Sequence, residues 1–153
     1  MIEPGDTAPD FTLPRDGGGT IGLSEHRGAP VVLFFYPRDD TSGCTAEAKD
    51  FTAMAKEFAS AGAAVIGISK DDVASHDKFR DKHGLEVPLA SDADGTVCED
   101  YGVWREKKMY GKTFMGIERS TFLVDSGGRL AKVWRKVKVP GHASDVLEAV
   151  RAL

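Results

Sequence analysis

The sequence is poor in cysteine. Its 153 residues contain only two, Cys44 and Cys98, and these are not spaced as a Cys-x-x-Cys pair. The absence of that pair excludes zinc ribbons and dithiol sites of the thioredoxin type. So low a cysteine content also excludes a small domain held together by disulfides. Any cysteine chemistry in this chain must therefore depend on single thiols.

The sequence also lacks a basic excess and a long apolar run. Lys and Arg together number 20 against 24 Asp and Glu, and the resulting net charge of -4 argues against a nucleic-acid partner. No apolar segment approaches the roughly 20 residues that a membrane helix requires. The first residues have neither the basic nor the apolar region of a signal peptide. We therefore expect a cytoplasmic protein that binds neither membranes nor nucleic acid.

What the sequence does contain is the composition of one folded domain. Hydrophobic residues make up 41% and charged residues 29%, which is close to the average for globular proteins. There is no internal repeat, linker or low-complexity segment. The length and composition predict a single domain over residues 1–153.

Alternating strand and helix patterns predict a three-layer α/β fold. We predict a hairpin over 10–23, buried strands over 31–36 and 63–69, and helices over 43–61 and 71–83, the second with Val73 and Phe79 facing inward. A short strand over 87–90, a short helix over 96–101, two strands over 120–125 and 129–137, and a C-terminal amphipathic helix complete the fold. Residues 105–115 are predicted to form a polar loop.

The segment between the first buried strand and the next helix is the best candidate for a reactive site. Ligands collect at the carboxyl ends of strands in open α/β sheets, and Cys44 lies there at the start of the predicted helix. The helix N-terminus favours a thiolate by up to about 2 kcal/mol, whereas a predominantly ionised thiol at pH 7 needs roughly 3.4 kcal/mol. A nearby cation is therefore expected. On spacing alone, Cys44 fits a small buried core residue equally well.

Two segments of the chain resemble the peroxiredoxin family. The first carries a Pro, a Thr four residues later and a Cys three residues after that, here Pro37, Thr41 and Cys44. The second, residues 109–125, resembles the region that carries the active-site arginine of the family, here Arg119. Residues 10–13, 23–24 and 98–104 also fit the subfamily called PrxQ or bacterioferritin comigratory protein, so the resemblance covers nearly the whole chain.

The resemblance implies a thioredoxin-like fold, with a central mixed β-sheet flanked by helices and an N-terminal β-hairpin. It implies a thiol-dependent peroxidase that needs no cofactor or metal and reduces hydrogen peroxide and organic hydroperoxides. Cys44 would be oxidised to a sulfenic acid, Arg119 would stabilise the thiolate and the leaving oxygen, and Thr41 would align the peroxide. Pro37 would shield the thiolate from water, and the amide of Gly43 would be a further donor. Glu47 would orient either Arg119 or the first turn of the helix.

The sequence departs from the subfamily at the resolving cysteine. Many members carry that cysteine five residues after the first, where this chain has Lys49, and the predicted helix over 71–83 contains none. Cys98 is the remaining thiol, and it also fits a small apolar residue of a short helix. We favour a one-cysteine cycle completed by thioredoxin, a glutaredoxin-type protein or a small thiol. A two-cysteine cycle through Cys98 and a redox-sensing or holdase role are the alternatives.

The remaining candidate residues carry weaker signals. His76 and His83 are seven residues apart and can share a helix face, but without metal-ligand spacing they predict no metal site. Lys107, Lys108 and Lys112 are interpreted as a solvated loop, with the docking of an acidic reductant as the alternative. We expect a monomer or a weak homodimer, because no long exposed apolar seam is visible in the sequence.

Overall fold

The computed structural model describes all 153 residues and places them around one central sheet. In chain order the elements are β1 (Thr12–Pro14), β2 (Thr20–Gly22), β3 (Val31–Phe35), α1 (Ser42–Ala53), α2 (Ala55–Ser60), β4 (Ala64–Ser69), α3 (Val73–His83), β5 (Leu89–Ser91), α4 (Val97–Asp100), β6 (Trp104–Met109), β7 (Lys112–Ile117), β8 (Ser120–Val124), β9 (Leu130–Trp134) and α5 (His142–Arg151). None of these helices is long and apolar enough to cross a lipid bilayer.

The central sheet is mixed, with strand order β5-β4-β3-β8-β9. β3 pairs in parallel with β4 and antiparallel with β8, while β4 and β5 are parallel and β8 and β9 antiparallel. β3 lies in the middle, and all five of its residues are buried. A strand covered on both faces can be apolar at every position, which explains its continuous run of Val, Leu and Phe. The predicted α/β fold with an N-terminal hairpin is confirmed.

The side chains of β3 alternate between two separate cores. One core contains Leu33 and Phe35 together with residues of the N-terminal hairpin and α4. The other contains Phe34 and residues of α1, α2, α3 and α5. The two cysteines belong to different cores, because Cys98 is packed in the first and Cys44 in the second. The sheet therefore separates the two thiols.

The single helix predicted over 43–61 is wrong, because the chain forms two helices that break at Met54. Met54 has φ -102° and ψ 10°, and its N–H lies within bonding reach of the carbonyls of both Asp50 and Phe51. This shared contact tightens the last turn of α1, and α2 begins at Ala55. The apolar spacing continues through the break, since Phe51 and Phe58 enter the same core. The apolar pattern alone therefore did not reveal the break at Met54.

The polar loop predicted over 105–115 is also wrong, because these residues belong to a β-hairpin. β6 and β7 pair antiparallel from Trp104 opposite Ile117 to Met109 opposite Lys112. Tyr110 and Gly111 form the two-residue turn, with φ 52° and 75°. Lysines at three of the hairpin's positions conceal the strand alternation, which is why the sequence predicted a solvated loop. The hairpin forms a sheet of its own beside the central one.

Candidate active site

Cys44 lies in the first turn of α1, at the end of the loop that follows β3. Its side chain is buried against the second core, with a relative exposure of 1%. Thr41 occupies the N-cap position of α1, but its hydroxyl donates to the carbonyl of Arg38 at 2.9 Å and caps no helix N–H. The amides of the first turn are therefore available to a negative charge near Cys44. Pro37, which is half-buried, begins the loop.

Arg119 supplies the cation that the helix end alone lacks. It lies in the short connection between β7 and β8, and its Nη2 is 3.4 Å from the Cys44 sulfur. Its Nη1 donates to Oε1 of Glu47 at 2.7 Å. The planar guanidinium thus bridges the thiol and the carboxylate with two different nitrogens, a geometry that an ammonium group cannot reproduce.

Glu47 follows Cys44 by one helical turn and is fully buried. Burial raises the pKa of its carboxyl to about 7, although the Arg119 guanidinium acts in the opposite direction. Its second oxygen, Oε2, has no hydrogen-bond partner. Glu47 therefore holds Arg119 in place, and burial makes its carboxyl easier to protonate than that of an exposed glutamate.

Gly43 allows Arg119 to approach the start of α1. A Cβ atom at this position would lie 3.0 Å from Nη2 of Arg119, closer than ordinary van der Waals contact. The absence of a side chain at residue 43 is thus what permits the 3.4 Å contact between Arg119 and Cys44.

The loop between β3 and α1 is held by the carboxylate of Asp39. This carboxylate accepts hydrogen bonds from the Tyr36 hydroxyl at 2.6 Å, the Ser75 hydroxyl at 2.8 Å and Nδ1 of His76 at 2.7 Å. The backbone N–H of Asp39 donates to Asp71 at 2.8 Å. Two of these partners, Ser75 and His76, lie on α3. The loop that carries Pro37 and Thr41 is therefore fixed to a neighbouring helix.

The buried ring of His76 is arranged so that the imidazolium form is favoured. Its Nδ1 faces the Asp39 carboxylate, and its Nε2 lies 3.0 Å from the carbonyl of Ala90, so both nitrogens act as donors. Burial alone would lower the pKa of His76, but the hydrogen bond and the charge of Asp39 outweigh it and raise that pKa. The spacing of Asp39, Asp71 and His76 could hold a metal ion, because two carboxylate oxygens and one ring nitrogen lie within 4.8 Å of one another. Each of these residues is already hydrogen-bonded within the protein.

Asp40, the next residue of the loop, also contacts α3, but it does so at the protein surface. Asp40 has φ 60°, and its carboxylate contacts Nζ of Lys82 and Nε2 of His83, each at 2.7 Å. Both partners lie at the end of α3. His76 and His83 therefore share a helix face, as the sequence predicted, and the two contact consecutive aspartates of the active-site loop.

Comparisons with known proteins agree with this geometry. The model of the AhpC/TSA family matches residues 4–133. Peroxiredoxin Bcp of Bacillus subtilis is 47% identical over 150 residues, which cover 98% of this chain and 96% of that protein. This chain belongs to the peroxiredoxin family.

Solved structures place this peroxiredoxin beside the PrxQ and bacterioferritin comigratory proteins. The Xanthomonas campestris bacterioferritin comigratory protein superposes with a TM-score of 0.90 at 46% identity, covering 99% of this chain and 96% of that one. A serine mutant of Xylella fastidiosa PrxQ superposes with a TM-score of 0.94 at 40% identity, covering 99% and 97%. The fold is thus thioredoxin-like, and the protein is a thiol peroxidase that takes a hydroperoxide as substrate and a thiol as reductant.

The structure brings most of the predicted site residues of this peroxiredoxin together. Arg119 contacts both Cys44 and Glu47, and Gly43 lies against the guanidinium. The Thr41 hydroxyl, however, contacts the carbonyl of Arg38 and not the sulfur. Sequence reasoning missed the anchor formed by Asp39 and His76. Val73, predicted to face inward, is half-buried, while His76 on the same helix is fully buried.

Substituting Gly43 with alanine is expected to slow the oxidation of Cys44 by hydrogen peroxide roughly five- to tenfold. The new Cβ must displace Arg119 by a few tenths of an ångström, and reactive geometry is sensitive to such shifts. Because alanine is the better helix former, the free energy of unfolding should stay the same or rise. Rapid-quench kinetics with urea unfolding on the same samples checks both results. An unchanged oxidation rate would show that Arg119 tolerates the shift.

Proposed function

We propose that this peroxiredoxin reduces hydrogen peroxide and organic hydroperoxides through a sulfenic acid on Cys44, in a one-cysteine cycle completed by an external thiol. The observation that carries the proposal is the 3.4 Å contact between the Arg119 guanidinium and the Cys44 sulfur at a helix N-terminus. The substrate range is supported by the similar Xanthomonas campestris protein, which is described by its alkyl peroxide reduction activity.

In the first half of the cycle, the Cys44 thiolate attacks the terminal oxygen of the hydroperoxide. The O–O bond breaks, sulfur becomes a sulfenic acid, and the leaving oxygen takes a proton and departs as water or an alcohol. Arg119 and the amides of the first turn of α1 face the negative charge that moves from sulfur to the leaving oxygen. Rotation about one side-chain bond would turn the Thr41 hydroxyl from the Arg38 carbonyl towards the peroxide.

In the second half, a thiolate of the reductant attacks the oxidised sulfur of Cys44. The S–O bond breaks, and the oxygen leaves as water after taking a proton, which yields a mixed disulfide. A second thiol then attacks the reductant's own sulfur and releases the Cys44 thiolate. Thioredoxin, a glutaredoxin-type protein or a small thiol in excess can each supply the two thiols.

The surroundings of Cys98 support an external reductant. Cys98 is fully buried in α4, in the core on the other side of the sheet from Cys44. Burial, followed by the charge of Asp92, raises the pKa of the Cys98 thiol well above its ordinary value, so it remains a poor nucleophile. Lys49 occupies the position five residues after Cys44 and is exposed. A disulfide between Cys44 and Cys98 would require one of the two cores to open.

Substituting Cys98 with alanine is expected to leave peroxide turnover within twofold of wild type. The thiol takes no part in a one-cysteine cycle, and its loss leaves only a small space in the first core, at about 1 kcal/mol of stability. Steady-state turnover with thioredoxin as the only thiol reductant checks the result. If Cys98 resolves the intermediate, the variant will instead lose turnover and accumulate sulfinic acid at Cys44.

The decisive experiment is the intact mass of the reduced protein, with and without thiol alkylation, after one equivalent of hydrogen peroxide. The proposal predicts one added oxygen on Cys44, with Cys98 still open to alkylation once the protein is unfolded. Loss of two hydrogens and of both alkylation sites would identify Cys98 as the resolving thiol. Stoichiometric oxidation that no thiol reverses would favour the redox-sensing role.

A further inference from the structure

The β6–β7 hairpin presents two chemically different faces. Strand register assigns alternate residues to each face, and cross-strand partners share one. The face that we call the cationic face carries Arg105, Lys107, Met109, Lys112 and Phe114. The opposite face carries Trp104, Glu106, Lys108, Thr113, Met115 and Ile117, and its Trp104 and Ile117 pack with the first core. The hairpin is thus attached to the domain through the opposite face.

Exposed apolar surface is concentrated on this hairpin. Apart from the chain ends Met1 and Leu153, every exposed large hydrophobic side chain of the protein belongs to it. Two of them, Met109 at 56% and Phe114 at 43% exposure, lie on the cationic face. Tyr110, at 95% exposure, stands at the tip. Clustered exposed apolar side chains with a polar surround are typical of a protein interaction site.

The charge of the cationic face is opposite in sign to that of the whole chain. It carries three cations and no carboxylate, whereas the protein has a net charge of -4. Arg105 is 3.9 Å from Glu118, but Lys112 is exposed and forms no ion pair. A surface of this kind complements a partner that is acidic and partly apolar.

The hairpin that carries the cationic face leads directly into the active site. Ile117, the last residue of β7, precedes Arg119 by two residues. The aliphatic stem of Lys107 covers Gly116 at the base of the hairpin. Burial and the Arg119 guanidinium lower the pKa of Lys107, while the charge of Cys44 acts in the opposite direction, so the ammonium group is within electrostatic reach of both. A protein bound to this face would be held next to Cys44.

We propose that the cationic face is the docking surface for a protein thiol reductant, whose reactive dithiol is surrounded by acidic and apolar side chains. This inference rests on the external-thiol cycle proposed above, and it adds the surface and the chemistry of the partner. A second copy of this chain fits the face less well, because a two-fold contact through it would place three cations against three cations. An acidic partner removes that repulsion and also covers Met109 and Phe114.

The test compares charge reversals on the two faces of the same hairpin. Lys112→Glu lies on the cationic face, and Lys108→Glu makes the same charge change on the opposite face. Peroxide turnover is measured with thioredoxin, kept reduced by its reductase and NADPH, and separately with dithiothreitol. We expect Lys112→Glu to raise the KM for thioredoxin about tenfold and Lys108→Glu to change it less than twofold. Turnover with dithiothreitol should be unchanged in both variants.

Two further measurements separate the outcomes. Phe114→Ser should also raise the KM for thioredoxin, and added salt should raise the wild-type KM while reducing the effect of Lys112→Glu. Equal effects of the Lys112 and Lys108 variants, or none, would overturn the docking surface. Turnover with dithiothreitol but with neither thioredoxin nor glutaredoxin would also overturn it and leave the peroxidase intact. Failure with dithiothreitol as well would contradict the proposed function itself.

Discussion

Replacing Arg119 with methionine is expected to slow the oxidation of Cys44 by hydrogen peroxide about 100- to 1,000-fold, the usual effect of removing a preorganised donor from a site of developing charge. Methionine retains much of the length of the side chain but has neither charge nor N–H groups. The sulfur therefore loses the donor at 3.4 Å, and the leaving oxygen loses the cation beside it. The measurement is the second-order rate of loss of alkylatable Cys44, followed by rapid quench.

Arg119→Lys is the matched control for charge. Lysine keeps the positive charge, but one ammonium group cannot contact both the sulfur and Oε1 of Glu47 as the two guanidinium nitrogens do. We expect its rate to fall about tenfold, between those of wild type and Arg119→Met. A rate for the methionine variant within threefold of wild type would show that Arg119 takes no part in the reaction.

Both Arg119 variants should fold, because Glu47 has an alternative to its ion pair. The pKa of its carboxyl is already raised to about 7 by burial, so the carboxyl can take a proton when the guanidinium is absent. Oxidation rates compared at pH 6.5 and below therefore report the reaction of Cys44 and not a loss of structure. Near-UV circular dichroism of the two variants confirms that the packing is intact.

The part of the site that is local in sequence could be predicted from the sequence. The position of Cys44, at the start of a helix after a buried strand, follows from the apolar pattern. The need for a cation also follows from the sequence, because a helix N-terminus alone favours a thiolate by too small a free energy. The identity of that cation does not, since Arg119 is 75 residues away and only the family resemblance indicated it. The need for glycine at residue 43 became specific only when the structure placed Nη2 of Arg119 beside it.

The anchor of the active-site loop lay beyond sequence reasoning for a similar reason. His76 is 37 residues from Asp39, and a single histidine on a helix carries no signal of its partner. The β6–β7 hairpin was missed because most of its side chains are exposed, so neither face shows the apolar alternation that marks a half-buried strand. Sequence patterns report local burial, so they reveal neither a contact between distant segments, such as Asp39 with His76, nor a hairpin whose side chains are mostly exposed.

Replacing His76 with leucine is expected to lower the free energy of unfolding by about 3 kcal/mol at pH 6, because removal of one partner from a buried ion pair leaves the other charge uncompensated. His76 is fully buried, and its Nδ1 lies 2.7 Å from the Asp39 carboxylate. Urea unfolding of wild type and variant measures the loss. His83→Leu is the matched control on the same helix: its partner, Asp40, is 41% exposed, so the expected loss is much smaller.

The pH dependence of this loss has a definite sign. The pKa of His76 is raised in the folded protein, so its contribution to stability is fully present below its ordinary value of 6.5 and is lost as pH rises through the folded pKa. The other groups that face it are the carboxylates of Asp39 and Asp71 and the hydroxyl of Tyr36, whose pKa is itself raised by burial and by Asp39.

The gap in stability between wild type and His76→Leu should therefore be largest at pH 6 and shrink as the solution becomes alkaline. A gap that widens with pH would mean that His76 is neutral in the folded protein. The same variant should oxidise more slowly at Cys44, because Asp39 would lose one of its two contacts with α3 and hold the loop that carries Pro37 and Thr41 less firmly. His83→Leu, which leaves the Asp39 contacts in place, should keep the wild-type oxidation rate.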